Sequence, residues 1–347
     1  MAGERPRRRD PRGVRVSHEA GGQVELSFPC QATVVGIERD VELALARLRD
    51  LDRAAGIGFL AAGLDPLHDA AAVGLQLTSP RYVSMNRHFD AFGPAGREMM
   101  RLTASLQICV DLLPGPAGLE QWRLAHLAGP ALASVFANSP GAPPGRASAA
   151  SPRLGVWLAV DGSRTGFDSR HVTRPSAAEG YVAFAAAAMV IPRGGRGDGF
   201  PPRQRSFAEW CGEGADRPDD GDLTHHLSTL FPPVRARVGY LEIRHLDALA
   251  PPLLGVALAV TWMLLQDRRC RAETLELLAD GTSWEAGGRA PRSRGSGPRP
   301  RDARSRAARV GPAGHGPGPP RIPAAGRPHA DAGVRDRVPG PRQGSRR

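Results

Sequence analysis

Lysine is absent from this chain of 347 residues, so all 46 of its basic side chains are arginine. A surface selected to bind phosphate ordinarily uses both residue types, so the missing lysine favours a bias of very GC-rich coding DNA. Cysteine is scarce as well: the four residues lie far apart and form no CxxC pair. That spacing excludes the usual structural zinc sites and favours a cytoplasmic protein with reduced thiols.

Long hydrophobic runs are also missing. The most apolar stretch, APPLLGVALAVTWMLL at 250–265, opens with two prolines and is shorter than the roughly 20 residues of a membrane span. A buried helix is therefore predicted there, and no contact with a membrane is expected. Residues 1–16 are basic, are followed by no apolar stretch and are predicted to be a disordered segment without a signal peptide.

The last part of the chain, residues 281–347, contains no leucine, phenylalanine or tyrosine, and 39 of its 67 residues are arginine, glycine or proline. It is predicted to be a disordered tail, because such a composition cannot build a packed core. A shifted reading frame in GC-rich DNA is favoured over a natural basic tail. The tail holds 15 arginines against four acidic residues and so carries the whole net charge of +11. An arginine-rich nucleic-acid-binding protein is an alternative function that rests on this tail alone, and no specific nucleic acid is expected as a partner.

Three segments alternate between polar and apolar residues at period two, which is typical of strands with one polar face. They are QVELSF (23–28), LQICVDL (106–112) and YLEIRHL (240–246). In one sheet, these strands would present carboxylate and amide oxygens, the ligands that Mg²⁺ prefers when phosphates complete its shell. The solvent face of an antiparallel sheet is the alternative. The pair Gly21-Gly22, before the first strand, would let another backbone or a ligand approach closely.

Other segments give clear local predictions. The stretch ERDVELALARLRDLDRAAG (38–56) has apolar residues at helical spacing and ends on glycine, so it predicts an amphipathic helix that stops at Gly56. IGFLAAGLDP (57–66) and LGVWLAVDGSRTGFD (154–168) are apolar runs that lead into turn residues. Both runs are predicted to contain strands.

Five collinear stretches resemble a known family: EAGGQVELS, PRYVSMNRHFDAFGPAGREMMRLTASLQICVDL, FANSP, SRTG and LSTLFPPVRARVGYLEIRHLDA. The chain is similar, over roughly residues 17–278, to glutamate–cysteine ligases of the plant-like and actinobacterial type, which include the first enzyme of ergothioneine biosynthesis. The resemblance implies an α+β fold like that of glutamine synthetase, with an antiparallel sheet funnel and outer helices. Residues 17–280 would then be a partial catalytic domain.

The resemblance also implies a reaction. ATP would phosphorylate the γ-carboxyl of glutamate, and the amine of cysteine would attack the γ-glutamyl phosphate, with Mg²⁺ as the cofactor. A related carboxylate–amine ligase with another amine acceptor is the alternative within this class. The expected partners are the small molecules glutamate, cysteine and ATP.

Several residues match positions that carry this chemistry in the family. The implied metal ligands are Glu25, Glu242 and Gln107; the implied catalytic residues are Arg244 and Arg235; the implied substrate or nucleotide ligands are Arg164, His226 and Asn138. Gln107 could bind nucleotide instead of metal. Structural alternatives are a surface carboxylate for the two glutamates, a structural or surface role for Arg235 and Arg164, and a packing or capping role for the histidine and asparagine.

Two departures from the family pattern bear on activity. Cys109 stands where the family strand has asparagine, and a thiol offers neither an amide oxygen nor an NH₂ group to Mg²⁺ or phosphate. The family also has a Gly-x-Glu-x-Glu strand before the motif around Gly21, and no such strand is found here. A fold that is truncated at its N-terminus is therefore expected, and an inactive remnant is a further alternative.

Overall fold

The computed structural model describes residues 13–140, 151–166, 170–193, 204–214 and 216–278. These residues all belong to a compact unit that spans Met1–Ser293. The predictions made for residues 1–12 and for the tail at 281–347 concern residues outside those described ranges.

The described residues form fourteen helices and five short strands. The helices are α1 Val34–Ala55, α2 Ala70–Val73, α3 Pro80–Asp90, α4 Ala95–Leu102, α5 Gly115–Leu127, α6 Gly129–Val135, α7 Pro152–Leu158, α8 Gly162–Thr165, α9 Arg170–Thr173, α10 Ala177–Ala187, α11 Phe207–Cys211, α12 Asp220–Ser228, α13 Leu253–Gln266 and α14 Arg268–Leu277. The strands are β1 Arg15–His18, β2 Val24–Ser27, β3 Ser105–Asp111, β4 Val234–Arg237 and β5 Tyr240–Asp247. All their pairings are antiparallel, which confirms the α+β class.

Local sequence signals explain where helix α1 begins and ends. The side chain of Thr33 accepts a hydrogen bond from the backbone N–H of Gly36, a typical N-cap. Gly56 ends the helix in a left-handed conformation, with φ of 65°, and its N–H bonds to Asp52 O. The prediction of a helix that stops at this glycine is confirmed. Among the described residues, no helix combines the length and the apolar character that a membrane crossing requires.

Strands β1 and β2 form a separate two-stranded sheet around the Gly21-Gly22 turn. Gly22 has φ of 89°, and a Cβ placed on Gly21 would lie 2.4 Å from the carbonyl oxygen of Arg101. The close backbone approach predicted for this glycine pair is therefore confirmed. The prediction of disorder up to residue 16 is wrong for its last two residues, because β1 begins at Arg15 and pairs there with Ser27.

The second sheet has the order β3-β5-β4, so β5 is its central strand. The expectation that all three polar-faced strands share one sheet is wrong, since β2 pairs with β1 instead. Every residue of β5 from Leu241 to Asp247 is buried, because a strand lies on each edge and helices pack against the sheet.

A β-bulge interrupts the pairing of β3 with β5. The ladder joins Ile108 to Ile243 and then Leu106 to Leu246. One residue of β3, Gln107, therefore faces two residues of β5. Such an insertion adds local twist and redirects the side chains that follow it.

The bulge residues on β5 are Arg244 and His245, and beyond them the alternation of faces is reversed. Leu246 joins the apolar residues of the first half of the strand in one buried cluster. Asp247 consequently lies on the same side as Arg244 rather than on the apolar side. In a regular strand, Leu246 would lie on the polar side and Asp247 on the apolar side.

Two segments predicted to contain strands have other structures. Residues 57–66 are irregular apart from an isolated bridge between Leu64 and Thr103. Within the run at 154–168, residues 154–158 belong to α7 and residues 162–165 to α8. Helix α7 begins there because Ser151 accepts the N–H of Leu154 and Pro152 occupies its first turn. For both segments, a short apolar run did not distinguish strand from buried helix or coil.

The two largest of the four apolar clusters among the described residues form most of the core. One contains Trp122, Leu241 and Ile243 and lies where the three-stranded sheet meets α5 and α13. The other contains Phe89 and Trp157 and lies among α3, α4 and α7. The polar side of β5 runs between them, which sets the position of the charged residues described below.

Asp247, at the end of β5, joins three parts of the chain. Its two carboxylate oxygens accept hydrogen bonds from Asn138 N (2.8 Å), Ser139 Oγ (2.7 Å), Ser151 Oγ (2.8 Å) and Arg153 Nε (2.8 Å). Both charged partners, Asp247 and Arg153, are almost completely buried. A buried ion pair of this kind is expensive to break from one side only, because the remaining charge keeps no counterion.

Asp247→Ala is expected to lower the free energy of unfolding by about 3–5 kcal/mol, because it leaves the Arg153 guanidinium buried without its carboxylate. Asp50→Ala is the control, since the Asp50–Arg53 pair on α1 is mostly exposed. Exposed pairs contribute about 0–1 kcal/mol. Urea unfolding followed by circular dichroism measures both changes. Equal effects of the two substitutions would contradict the assignment of Asp247 as a structural junction.

Candidate functional site

Glu242, on the central strand, is the centre of a charged cluster. Arg235 of β4 and Cys109 of β3 are its direct cross-strand neighbours. Its carboxylate accepts a hydrogen bond from Arg244 Nη1 at 2.6 Å and one from Arg237 Nε at 3.3 Å, and Arg235 Nη1 lies 3.5 Å away. Three guanidinium groups therefore surround one carboxylate, and the cluster carries an excess of positive charge.

The ionisation of these groups follows from that arrangement. Burial opposes the charged form of Glu242, but Arg244, Arg235 and Arg237 outweigh it and lower the pKa of the carboxyl. Burial and then the neighbouring Arg244 lower the pKa of Arg235 to about 9. The cluster is thus a place where an added anion would be stabilised, since the arginines repel one another more than a single carboxylate can offset.

Arg244 and Arg235 both keep hydrogen-bonding capacity that the described residues do not use. The Nε atom of each is buried and has no hydrogen-bond partner there. Arg244 Nη1 also points to Gln107 Oε1, at 3.5 Å across the bulge. The structure therefore brings together four of the residues predicted from the sequence: Arg235, Arg244, Glu242 and Gln107.

Arg237 was missed by the sequence reasoning, although a signal for it was present. It follows Arg235 at an interval of two in the strand, so both side chains lie on one face. Arg237 is about half exposed, with 47% of its side-chain surface accessible, whereas Arg235 is buried. The cluster is therefore open to solvent at Arg237, and this is called its open side.

Cys109 is exposed at the edge strand, next to Glu242. The surrounding protein and the Glu242 carboxylate raise the pKa of its thiol to about 11. The thiol therefore stays protonated at neutral pH. It supplies a weak donor where the family's asparagine would supply both an amide donor and an amide acceptor.

A second acidic group lies on the β1–β2 sheet. Glu25, a predicted metal ligand, accepts hydrogen bonds from Ser17 Oγ at 3.1 Å and from Ser27 Oγ at 3.3 Å. Its carboxylate also acts on the neighbouring Glu19 and raises the pKa of that carboxyl, after the larger effect of burial. The charge of Arg244 lowers the pKa of Glu19, so the acidic pair and the arginine cluster interact electrostatically.

Glu19 was not singled out from the sequence. It stands just before the Gly21-Gly22 turn, and this turn is the signal that could have found it, since a tight turn places its flanking side chains close together. Glu19 is solvent-exposed, yet the protein packed around it and then the Glu25 carboxylate raise its pKa from 4.5 to about 7. Arg81 lies near enough to act in the opposite direction, and its guanidinium is held by Ser228.

A Mg²⁺ site requires oxygen ligands, usually one or two carboxylates together with water and substrate phosphates. Within the described ranges, no group of three or more His, Cys, Asp or Glu side chains could hold a metal ion. Two neighbouring carboxylates are nevertheless a usual protein contribution to a Mg²⁺ site that substrate phosphates complete. Glu19 and Glu25 fit that role, because a cation would offset the burial and the Glu25 repulsion that raise the pKa of Glu19. The oxygens of Glu242 are instead taken up by arginines.

Arg164, a predicted substrate ligand, lies in the interior. Its side chain is fully buried; Nε pairs with Asp161 Oδ2 at 2.7 Å, and the remaining nitrogens donate to Thr229 and Met189. Asp161 also contacts His88. This position supports a structural role for Arg164, because every nitrogen of its guanidinium already has a protein partner.

His226 and Asn138 have structural positions as well. His226 is fully buried; its Nε2 lies 2.8 Å from Ala185 O, its ring stacks on Phe207 at 4.4 Å, and burial lowers its pKa to about 4. Asn138 donates from Nδ2 to Ala61 O and Ala248 O, both at 2.8 Å. The packing and capping alternatives account for both residues.

The raised pKa of Glu19 predicts how the stability of the metal-free protein depends on pH. The fold favours the protonated carboxyl, so this contribution is present below pH 4.5 and is lost as the pH rises through about 7. Glu19→Gln should therefore gain stability relative to the unmodified chain across that window. Glu25→Gln should move the loss to lower pH, since it removes the neighbouring carboxylate. Urea unfolding over the pH range tests this, and parallel profiles for all three proteins would contradict it.

Comparison with known proteins gives the site its context. The family model described as Glutamate-cysteine ligase family 2 (GCS2) matches residues 2–313, a span that extends into the arginine-rich residues after 280. "Glutamate--cysteine ligase EgtA" of Mycolicibacterium smegmatis is 33% identical over 287 residues, which cover 80% of this chain and 66% of that protein. The EgtA protein of Mycobacterium tuberculosis strain H37Rv is 32% identical over 296 residues, with the same coverage.

Plant proteins are similar at greater distance. A chloroplastic glutamate–cysteine ligase of Medicago truncatula is 27% identical over 287 residues, which cover 78% of this chain and 54% of the plant protein. The chain thus spans somewhat less than two thirds of its bacterial relatives and about half of the plant one. With a family match across most of its length, the chain belongs to glutamate–cysteine ligase family 2.

Proposed function

We propose that the chain catalyses the ATP-dependent ligation of the γ-carboxyl of glutamate to the amine of cysteine, the first step of ergothioneine biosynthesis. The observation that carries the proposal is the cluster of Arg235, Arg237 and Arg244 around Glu242, with Arg244 close enough to the acidic pair Glu19 and Glu25 for its charge to lower the pKa of Glu19. A site that joins an anionic carboxylate to a triphosphate needs both signs of charge: arginines for the phosphates and carboxylates for a cation.

Each group has a part in this reaction. The two uncommitted Nε atoms of Arg235 and Arg244 would donate to oxygens of the transferred phosphoryl group, where negative charge is concentrated during transfer. Arg237, at the open side, would meet the incoming triphosphate. The cysteine amine would then displace phosphate from the γ-glutamyl phosphate. Glu242 keeps the arginines together between substrates, because it is the carboxylate that all three contact.

Mg²⁺ is the metal that fits this proposal, and when bound it would neutralise phosphate charge. Glu19 and Glu25 would hold it through hard carboxylate oxygens. The predicted ligand roles of Glu242 and Gln107 stay predictions, since both side chains contact Arg244 in this arrangement. We also propose that residues 17–280 are a partial catalytic domain with an antiparallel sheet funnel, and that the protein is cytoplasmic.

The assay that tests this function measures ADP release and γ-glutamylcysteine formation by the purified full chain with ATP, Mg²⁺, glutamate and cysteine. Arg244→Gln is expected to lower kcat by about 10²–10³-fold, the usual loss when a donor to transition-state charge is removed. The matched control is Arg269→Gln on α14, an exposed arginine paired with Glu273, which should keep the full rate.

The outcomes of this assay separate the alternatives. ADP release that requires glutamate but accepts another amine in place of cysteine would show a related carboxylate–amine ligase. A folded chain that releases no ADP with any amine would overturn the proposal and favour the inactive remnant. Equal losses for Arg244→Gln and Arg269→Gln would remove Arg244 from the proposed chemistry.

Cys109 gives an independent test on the same site. Cys109→Asn restores an amide opposite Glu242, where a carbonyl oxygen and an NH₂ group can contact metal or phosphate. We expect the substitution to raise kcat/KM for ATP by about tenfold, the value of roughly one good polar contact. Cys109→Ala is the control for loss of the thiol alone. No difference between the asparagine and alanine variants would show that this position does not contact the nucleotide.

A further inference from the structure

The guanidinium of Arg244 is held by two kinds of neighbour. Its edge faces polar groups, through Nη1 to Glu242 and Gln107. Its Cζ atom lies 5.7 Å from the ring centre of Trp157 and 6.0 Å from that of Phe231. Both distances are within the range of cation–π attraction, which is strongest where the cation is shielded from water, as this buried arginine is.

Trp157 is itself firmly placed. Its indole Nε1–H donates to Phe231 O at 2.8 Å, and the two rings meet edge to face, with centres 5.8 Å apart and planes at 84°. Phe231 is fixed in turn, because its backbone N–H donates to Arg164 O at 2.9 Å. The aromatic pair, Trp157 and Phe231, therefore has a defined orientation before any ligand binds.

A second arginine packs on the same indole. The Cζ atom of Arg153 lies 5.5 Å from the Trp157 ring centre, and its charge is balanced by Asp247. Arg153 Nη2 also donates to Arg244 O at 3.2 Å. Trp157 thus lies between Arg153, whose charge is paired with Asp247, and Arg244, whose Nε has no partner among the described residues.

We propose that Trp157 is a positioning residue for Arg244: its ring sets the plane of the guanidinium so that the free Nε is directed at the phosphoryl group. The inference rests on the proposed function of Arg244. A guanidinium can donate two parallel hydrogen bonds to phosphate only in its own plane, so rotation about the side chain would lose the bonds without losing the charge. Trp157 acts through Arg244 and does not touch the substrate.

Trp157→Leu is expected to lower kcat about tenfold and to leave KM for glutamate nearly unchanged, because the loss falls on the transition state for transfer. Trp157→Phe keeps an aromatic face and should recover most of that loss. Trp122→Leu is the matched control: Trp122 is equally large and buried, but it lies in the other apolar cluster. It should lose stability without a change in kcat for the folded fraction. A fall in kcat for Trp122→Leu as large as that for Trp157→Leu would contradict the proposal.

A double-mutant cycle separates positioning from general stability. In the Arg244→Gln background, Trp157→Leu should lower kcat no further, since the group that it positions is gone. Independent, multiplicative losses would show that Trp157 acts only through the fold.

A measurement without turnover keeps this inference distinct from the proposed function. Phenylglyoxal modifies accessible arginines, and mass spectrometry of peptides gives the rate at Arg244 alone. Trp157→Leu should raise that rate several-fold, whereas Trp122→Leu should not. If the chain shows no ligase activity, the proposed function fails; an unchanged labelling rate at Arg244 overturns the positioning role in either case.

Discussion

Each charge that β5 buries has to find an opposite charge, and much of this structure follows from that constraint. Glu242 is surrounded by three arginines, and Asp247 is matched by Arg153. The two solutions differ in a way that matters for function. At Asp247 the charges balance and the hydrogen bonds join separate parts of the chain. At Glu242 the positive charge is in excess, so the cluster is suited to a further anion.

The bulge in β5 allows Glu242 and Asp247 each to meet their arginine partners, although both lie on one short strand. With regular alternation, Asp247 would have pointed into the apolar cluster and Leu246 towards the arginines. The additional residue reverses the alternation, so Asp247 reaches Arg153 while Leu246 packs with the core. The same irregularity sets Gln107 opposite Arg244. One local departure from ideal geometry therefore supports the fold and shapes the candidate site.

Residues around the site form successive layers of support. Arg164 bonds Thr229 and accepts the N–H of Phe231 on its backbone oxygen, so it holds the segment that leads into β4. Phe231 and Trp157 then contact Arg244. A residue that matches a family motif can therefore matter for activity without meeting a ligand, since a guanidinium in a fixed plane requires a rigid surrounding shell.

Periodicity in the sequence determined local matters: the helix that stops at Gly56, the strands β2, β3 and β5, and the shared face of Glu242 and Arg244. These depend on neighbours along the chain, and a single sequence contains them. The tertiary structure alone decided that β2 pairs with β1, where the bulge lies, and that Arg164 is buried while Arg237 is half exposed. Each of those outcomes depends on which distant segments supply hydrogen bonds and counterions, and residue spacing carries no information about such partners.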